Sequence, residues 1–587
     1  MTFLPIVERE LRVAARKRST FWVRTTAAIV ALVIGGGFLL VGLFGPGRGS
    51  GSLGRGLFGV LTWLSFAAAL SAGLFLTSDS LSEEKRGGTL GFLFLTDLRG
   101  YDIVLGKVLA TSLRSFYAFL ATFPVLALTL LMGGLAGAEF WRTVLALVNA
   151  LLVSVSVGLL ISAISRESQK ALVGTMLLLV LLVAGGPASD GITAAVQRRA
   201  FEPVFSLTSP GWLLVAAGGW GRTGFWAGLL VNQAACWGML VLASLVLPRT
   251  WQERPARLRV QRASWGYAWR FGSARRREAR RRRLLEPNPV LWLVCREQWQ
   301  GILLWTVVLL LAGGLAVSLL AGEDWMLWLA WGQLAGVFTL GLYLLAASQA
   351  VRFFVEARQS GLMELILSTP LTSRQVVEGQ WRGLTRSFGA PLALWLVAQS
   401  LGAFLVQQAT WKNMTTTVSA AGGGQAAATA INMIGNPSAW SAVGLALAGT
   451  LTIATNLVAI SWFGMWTALT ARSANRATLR TLVFVQVIPW FGFVFVSALA
   501  VPFLLMPRII GTLGPGSSVQ WYALVMGGVA TALYLLKNLG FTVWSRSRLH
   551  SEFRARASGE SSSTPRGRPA GPPVLSPPPL APGPGGP

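Results

Sequence analysis

Long apolar runs that hold very few charges alternate with short polar connections along most of the chain. A helix that crosses a membrane needs about 20 mostly apolar residues. Runs of this kind begin near Thr25, Gly56, Val108, Thr143, Ala171 and Thr223, and again near Gln300, Met326, Ser387, Ala439, Thr478 and Trp521. The pattern therefore predicts an all-α polytopic membrane protein with about twelve transmembrane helices.

One polar motif interrupts this pattern twice, 273 positions apart, at residues 83–98 and 356–371. In each copy a cluster of acidic and basic residues is followed by a glycine, an apolar run, a threonine and a leucine. A second similarity relates 165–171 to 471–477, which share a basic-x-x-amide-basic-Ala pattern. Repetition at a long period indicates that one structural unit occurs twice. We therefore expect two tandem six-helix repeats.

The polar breaks also predict how the chain is organised. Apolar residues spaced by three and four along residues 3–18, with charges on the other face, predict an interfacial helix. The glycine and Thr-Asp or Thr-Pro elements of the two motifs predict a helix-turn-helix elbow in each half. The predicted divisions are a first half at 1–248 with its elbow at 78–107, an Arg-rich linker at 249–287, a second half at 288–550 with its elbow at 349–386, and a disordered Pro/Gly/Ser-rich tail at 551–587.

Basic residues are distributed unequally between the two sides of this twelve-helix map. Most of the 50 Lys and Arg residues fall at the termini, in the central linker and in the loops on the same side. Since basic loops stay in the cytosol, both termini and the linker are expected to be cytosolic.

The net charge of +28 could also indicate nucleic-acid binding, because arginines are dense at 275–283. A nucleic-acid binder would carry that charge on a soluble domain, and the sequence predicts none. We instead expect residues 249–283 to lie on anionic lipid headgroups, where each cation adds about 1 kcal/mol of attraction. The two cysteines, Cys236 and Cys295, suggest neither a disulfide framework nor a metal site.

A few polar residues interrupt the apolar spans. Asn149, Asn232, Gln233, Asn456 and Gln486 either join neighbouring helices or line a transport path. The candidates for the path are Asn232, Gln233, Asn456 and Gln486. Lys537 is placed within reach of the inner membrane surface, so neither half is expected to hold a charge deep in a span. A carrier driven by protons usually needs such a buried group, so that class is disfavoured.

Catalytic motifs are missing from the sequence. Residues 100–108 resemble a phosphate-binding loop, but they have one residue too many before Gly-Lys and no Ser or Thr after it. We therefore expect a chain that is not an enzyme and binds no cofactor, so that any ATP with its magnesium is bound and hydrolysed by another chain.

The motif residues carry a resemblance to a known family. The string at 83–90 with 105–107, the string at 356–358 with 368–371, and the opening at 5–11 resemble permeases of type-2 ATP-binding-cassette (ABC) exporters. That resemblance implies that each elbow is a coupling helix that docks on an ABC ATPase. The docking residues implied are Glu83, Glu84, Arg86, Gly88, Thr89, Leu90, Glu356, Arg358, Gly361, Glu364 and Thr369.

The resemblance further implies two ATPase nucleotide-binding domains as partners and a bacterial inner membrane as the location. Permeases of this family usually pair two six-span chains, whereas this chain would supply both halves. The copies differ, since Gly91 stands where the second has Glu364 and Asp97 where it has Pro370. Two alternatives stay open: an ion-coupled secondary transporter of twelve helices, and a membrane scaffold that does not transport.

Overall fold

The structure, a computed structural model, describes residues 25, 28–37, 50–95, 99–197, 202–218, 224–250, 274–297, 299–321, 325–420, 439–471, 473–493 and 518–558. Within these ranges all regular elements are helices. The predicted interfacial helix at 3–18 lies outside the described residues, as do 251–273 of the linker and the tail from 559 onward.

The first half is built from helices of very different lengths. They are α1 at Ala28–Gly37, α2 at Ser50–Ala72 with a π-helical turn at Gly73–Thr77, α3 at Ser80–Arg86, α4 at Thr89–Leu95, α5 at Gly100–Leu131, α6 at Gly137–Ile164, α7 at Ser168–Val180 with a π-helical turn at Leu181–Gly185, α8 at Gly186–Gln197, α9 at Pro210–Ala217 and α10 at Phe225–Thr250. Two short helices follow in the linker region, α11 at Ala274–Leu285 and α12 at Pro289–Val294.

The second half repeats part of this order of long and short helices. Its helices are α13 at Trp299–Ala321, α14 at Trp325–Gln359, α15 at Leu362–Ser368, α16 at Ser373–Ala420, α17 at Ala439–Ala468, α18 at Ala474–Leu482 with a π-helical turn at Val483–Val487, and α19 at Ser518–Ala557. The short helices α4 and α15 occupy the same place in the two halves.

Apolar helices long enough to cross a membrane account for most of the described chain. Eight pass on length and hydropathy, or nine if the bent α5 counts as one span. These nine coincide with predicted runs, and the runs near Thr25, Thr478 and Trp521 are helical over the parts that the structure describes. The all-α polytopic membrane fold is thereby confirmed, while the total of twelve spans and the side of the termini stay predictions.

Each half has its own apolar core. The core of the first half centres on α6, most of whose residues are buried. The core of the second half joins α14, α16 and α17 with the end of α19, and it includes the fully buried rings of Phe354 and Trp395.

Polar contacts join the two halves near one end of the bundle. Asn475 Nδ2 donates to Ser78 Oγ at 3.3 Å, and Ser168 Oγ lies 3.2 Å from Asn475 Oδ1. Gln300 Nε2 donates to Gln169 Oε1 at 2.9 Å. Both elbows lie at this end, so we name it the elbow face.

Helix α19 reaches beyond the predicted end of the second half at 550 and continues to Ala557. Its last turns are held by packing: Phe553 is 1% exposed, and its ring centroid lies 5.6 Å from that of Phe354. Arg554 also donates to the carbonyl oxygen of Leu371 at 3.2 Å. The end of α19 therefore packs against the second elbow. The first residues of the predicted tail, 551–557, belong to this helix.

Candidate functional site: two equivalent elbows

The first elbow is a sharp turn between two short helices. Helix α3 ends at Arg86, and the chain reverses through Gly87 and Gly88, whose φ angle is +70°. This left-handed conformation suits glycine because an L side chain clashes with the backbone there. Thr89 then starts α4, and its hydroxyl donates to the carbonyl oxygen of Glu84 at 3.3 Å.

The second elbow repeats this geometry. Helix α14 ends at Gln359, and Gly361, at φ +73°, caps the start of α15 at Leu362. Thr369 ends α15, and its hydroxyl donates to the carbonyl oxygen of Ile366 at 2.6 Å. The two glycines occupy corresponding positions in the motif, so the repeat in sequence is also a repeat in backbone conformation.

The short helices α4 and α15 present corresponding faces. Leu90 and Met363 occupy the same motif position and are buried, at 1% and 2% exposed. Phe92 and Leu365, two positions later, point outward and are 71% and 65% exposed. One side of each short helix thus packs on the membrane domain, while the other offers a large apolar side chain to whatever lies beyond the elbow face.

A basic residue fastens each elbow to the neighbouring bundle. Lys85 Nζ donates to the carbonyl oxygen of Ala163 at the end of α6, and to Thr250 Oγ1 at 3.0 Å. Arg358, at the corresponding motif position, donates to the carbonyl oxygen of Leu469 at 2.6 Å, just after α17. Orphan carbonyls at a helix end favour a cation. Each elbow is therefore tied to the end of the fourth predicted span of its half.

Two of the charged docking residues predicted in the first elbow have partners within the chain. Glu84 pairs with Lys107 at 2.7 Å. Arg86 pairs with Asp79 at 2.9 Å and also donates to the carbonyl oxygen of Arg166 at 2.8 Å. These side chains stabilise the shape of the elbow, whereas the exposed Glu83 makes no ion pair with the residues that the structure describes.

The predicted charged residues of the second elbow likewise include some that bond within the chain and one that is exposed on the surface. Glu356 pairs with Arg352 at 2.8 Å, and Arg352 pairs with Glu297 at 2.9 Å. Arg358 is the anchor to the end of α17. Glu364 is exposed on α15 and lies beside the outward Leu365.

The structure thus sorts the predicted docking residues by their position. The exposed ones are Glu83, Arg86, Gly88, Thr89, Glu356, Arg358, Glu364 and Thr369, while Leu90 is buried and Glu84 and Gly361 are half-buried. Sequence reasoning missed Phe92, Leu95 and Leu365, the apolar residues that project from the elbows. The apolar run after each glycine was the available signal, because a short surface helix cannot bury every residue of such a run.

The four polar residues proposed for a transport path lie inside the individual halves. Asn232 is 1% exposed and donates at 2.8 Å to the carbonyl oxygens of Leu207 and Gly228. Gln233 donates to Asn149 at 2.8 Å, and Asn456 donates to Gln486. Bonds of this kind join helices. A role in a transport path stays a prediction for these residues.

A cavity of about 440 Å³ lies where the first half faces the second. Its wall is mostly apolar and comes from α1, α2, α5 and α6, with Leu479 and Val483 from the second half. None of the four polar residues above lines it. This cavity is therefore lined by residues of both halves.

The comparison with protein families supports the interpretation of the motifs. Residues 5–247 match the model of a family described as ABC-2 family transporter protein. Residues 5–247 are therefore similar to a type-2 ABC permease, which confirms the resemblance carried by the first elbow motif, and the long apolar helices support an integral membrane protein. No curated protein matches the chain.

Proposed function

We propose that this chain is the membrane-spanning permease of an ATP-driven exporter, and that a separate ABC ATPase, which binds ATP and magnesium, docks on its two elbows. The observation that carries the proposal is the equivalence of the elbows. Both turn at a left-handed glycine, both are anchored by a basic residue, and both expose a large apolar side chain at the same motif position, Phe92 in the first and Leu365 in the second.

The exposed surface of each elbow has the composition of a docking site. Stable interfaces combine a buried apolar or aromatic anchor with a polar rim. Phe92 supplies the anchor in the first elbow, with Glu83 and Thr89 nearby in sequence. Leu365 supplies it in the second, with Glu364 beside it. Two elbows imply two ATPase domains, one for each.

The charge distribution supports a cytosolic location for the elbow face. The basic loops fall on this side in the twelve-helix map, and basic loops stay in the cytosol. ATP is cytosolic, so the ATPase must bind there. The family resemblance is also the basis on which we assign the protein to a bacterial inner membrane.

The anchored elbows suggest how force reaches the substrate. Lys85 at the end of α3 and Arg358 at the end of α14 tie the start of each elbow to the end of α6 or α17, so an ATPase that moves the elbows also moves these spans. As the two halves move relative to each other, the cavity of about 440 Å³ between them would open first toward one side of the membrane and then toward the other. Its apolar wall favours an apolar or amphipathic substrate.

Co-purification from the native membrane tests the proposal. The tagged wild-type chain should retain an ATPase, and that ATPase should hydrolyse ATP. In the double variant Phe92→Ala/Leu365→Ala we expect recovery of the ATPase to fall, because losing a buried anchor weakens binding on the order of 30-fold per elbow. Adding Glu83→Arg to this double variant should lower recovery of the ATPase further, and the change leaves the ion pairs within the elbow intact.

Phe205→Ala is the matched control, since Phe205 is also exposed, at 59%, but lies near the start of α10 on the opposite face. It should leave ATPase recovery unchanged. Absence of any ATPase from the wild-type preparation, or equal recovery with both sets of variants, would refute the assigned docking site.

A further inference from the structure

A second cavity, of about 740 Å³, opens between α17, α18 and α19 within the second half. It extends from Thr470, in the turn that follows α17, to Lys537 in the interior of α19. Because Thr470 lies at the elbow face, the cavity occupies the elbow-side half of the membrane. It is separate from the cavity between the halves.

Aromatic rings form one wall of this cavity. Phe484 and Trp544 are 50% and 42% exposed, so the wall opens sideways toward the surrounding membrane. Trp466 and Trp544 stack edge to face at 4.8 Å, which makes part of the wall rigid. The aromatic residues that line it are Phe463, Trp466, Phe484, Phe541 and Trp544.

Two cations, Arg480 and Lys537, complete the lining. Neither forms an ion pair with a carboxylate among the residues that the structure describes. Lys537 Nζ donates to Asn456 Oδ1 at 3.1 Å and to the carbonyl oxygen of Val485 at 2.8 Å, and it lies 5.1 Å from the ring centroid of Tyr534. An ammonium has three N–H donors, so one is left for another acceptor.

Lys537 lies deeper than the sequence suggested. Its partner Asn456 precedes the end of α17 at Ala468 by about three turns, or roughly 18 Å along the helix. Charges at such depth are costly and occur where they have a partner or a function. The expectation that no span holds a deep charge is therefore wrong for α19.

The first half has no counterpart of Lys537. Gln233 bonds Asn149 in the first half and Asn538 bonds Thr455 in the second, at 2.8 Å and 3.0 Å, so in each half an amide on the last span bonds the fourth span. The residue before the amide is an asparagine in the first half and Lys537 in the second. Duplication alone therefore does not account for the cation.

We propose that this pocket binds one acidic phospholipid from the elbow-side leaflet. The phosphate would lie between Arg480 and Lys537, and an acyl chain would lie along the aromatic wall. The site is confined to the second half, since Gly174 stands at the first-half position that corresponds to Arg480. The anion supplies the missing counter-charge and the acceptor for the third donor of Lys537.

Photo-crosslinking of the purified full-length chain in phosphatidylcholine nanodiscs tests the proposal. The discs carry either photoactivatable phosphatidylglycerol or photoactivatable phosphatidylcholine with the same acyl chain. Phosphatidylglycerol should label α18 and α19 near the pocket, and phosphatidylcholine should label them much less. Arg480→Gln should reduce the labelling roughly five-fold, and Arg480→Gln/Lys537→Gln roughly 25-fold, since each cation contributes about 1 kcal/mol.

Arg476→Gln is the matched control, because Arg476 is an exposed cation one turn away on α18 that does not line the pocket. It should leave the labelling unchanged. Equal labelling by the two lipids, labelling confined to other helices, or equal loss in the control would overturn the proposal. Arg480 is exposed, so its single variant tests the site even if the Lys537 variant fails to fold. The assay needs no ATPase, and its failure would leave the docking proposal untouched.

Discussion

At the scale of single residues, one glycine sets the path of each elbow. Gly88 and Gly361 have φ angles of +70° and +73°, and a Cβ atom added at either would meet no atom within 4 Å. A substitution there therefore costs only backbone energy, about 1–2 kcal/mol for an L residue in this conformation. Gly87, the neighbouring glycine, has φ −77° and needs no such freedom.

We therefore predict that Gly88→Ala and Gly361→Ala each destabilise the folded chain by about 1 kcal/mol. The apparent midpoint of thermal unfolding, measured on the purified protein, should fall for both. Gly87→Ala should leave the midpoint unchanged, because the second copy already carries a side chain there, Ser360. A similar fall for all three variants would contradict the assigned role of the left-handed conformation.

The repeated motif correctly predicted that the helix breaks at these glycines, but it did not predict which charged side chains would be exposed. Glu84 and Arg86 read as partner-facing because they are charged at a turn. Their actual partners, Lys107 and Asp79, depend on how neighbouring helices pack, which a local pattern does not encode. The depth of Lys537 was missed for the same reason, since a lysine near a span end reaches either outward or inward.

At the scale of elements, each elbow is a short helical segment attached to the end of a longer helix by a basic side chain. Arg358, in the last turn of α14 just before α15, holds the start of the second elbow to the end of α17 through the carbonyl oxygen of Leu469. A charged donor to a carbonyl contributes about 1 kcal/mol when the group is partly exposed. Removing it should loosen the elbow without changing the apolar surface that it presents.

Arg358→Gln should therefore increase amide hydrogen exchange in Leu362–Ser368 by roughly five-fold, since protection falls with the free energy of local opening. Exchange of the purified chain read by mass spectrometry would show the change. Arg374→Gln is the control, because Arg374 is 74% exposed and pairs with Glu378 on α16. Exchange in α15 that rises equally in both variants would show that Arg358 is not the anchor.

The order of elements was largely predictable, because apolar length and glycine breaks are local properties. The pairing of Lys85 with Ala163 and of Arg358 with Leu469 was not, since each joins residues in different spans. A comparison of the two repeats does show that the pairs correspond. Lys85 and Arg358 are separated by the spacing of the elbow motif, and Ala163 and Leu469 by the spacing of the pattern at 165–171 and 471–477.

At the scale of the whole molecule, the two halves behave as one unit. Asp79 links the first elbow to the contact between the halves: its carboxylate pairs with Arg86 and lies 3.0 Å from Ser168 Oγ. Ser168 in turn touches Asn475 of the second half. The surface of the first half near its elbow is thus in contact with the second half of the same chain.

This arrangement predicts one permease chain in each complex. If two copies carrying different affinity tags are expressed together, capture of one tag should recover only traces of the other. Membranes that contain each tagged copy alone, mixed after solubilisation, give the background from aggregation. Recovery of both tags in similar amounts above that background would mean that the halves pair between chains. The contacts of Gln300 with Gln169 and of Asn475 with Ser78 would then have to form between subunits, and the elbows in each particle would number four instead of two.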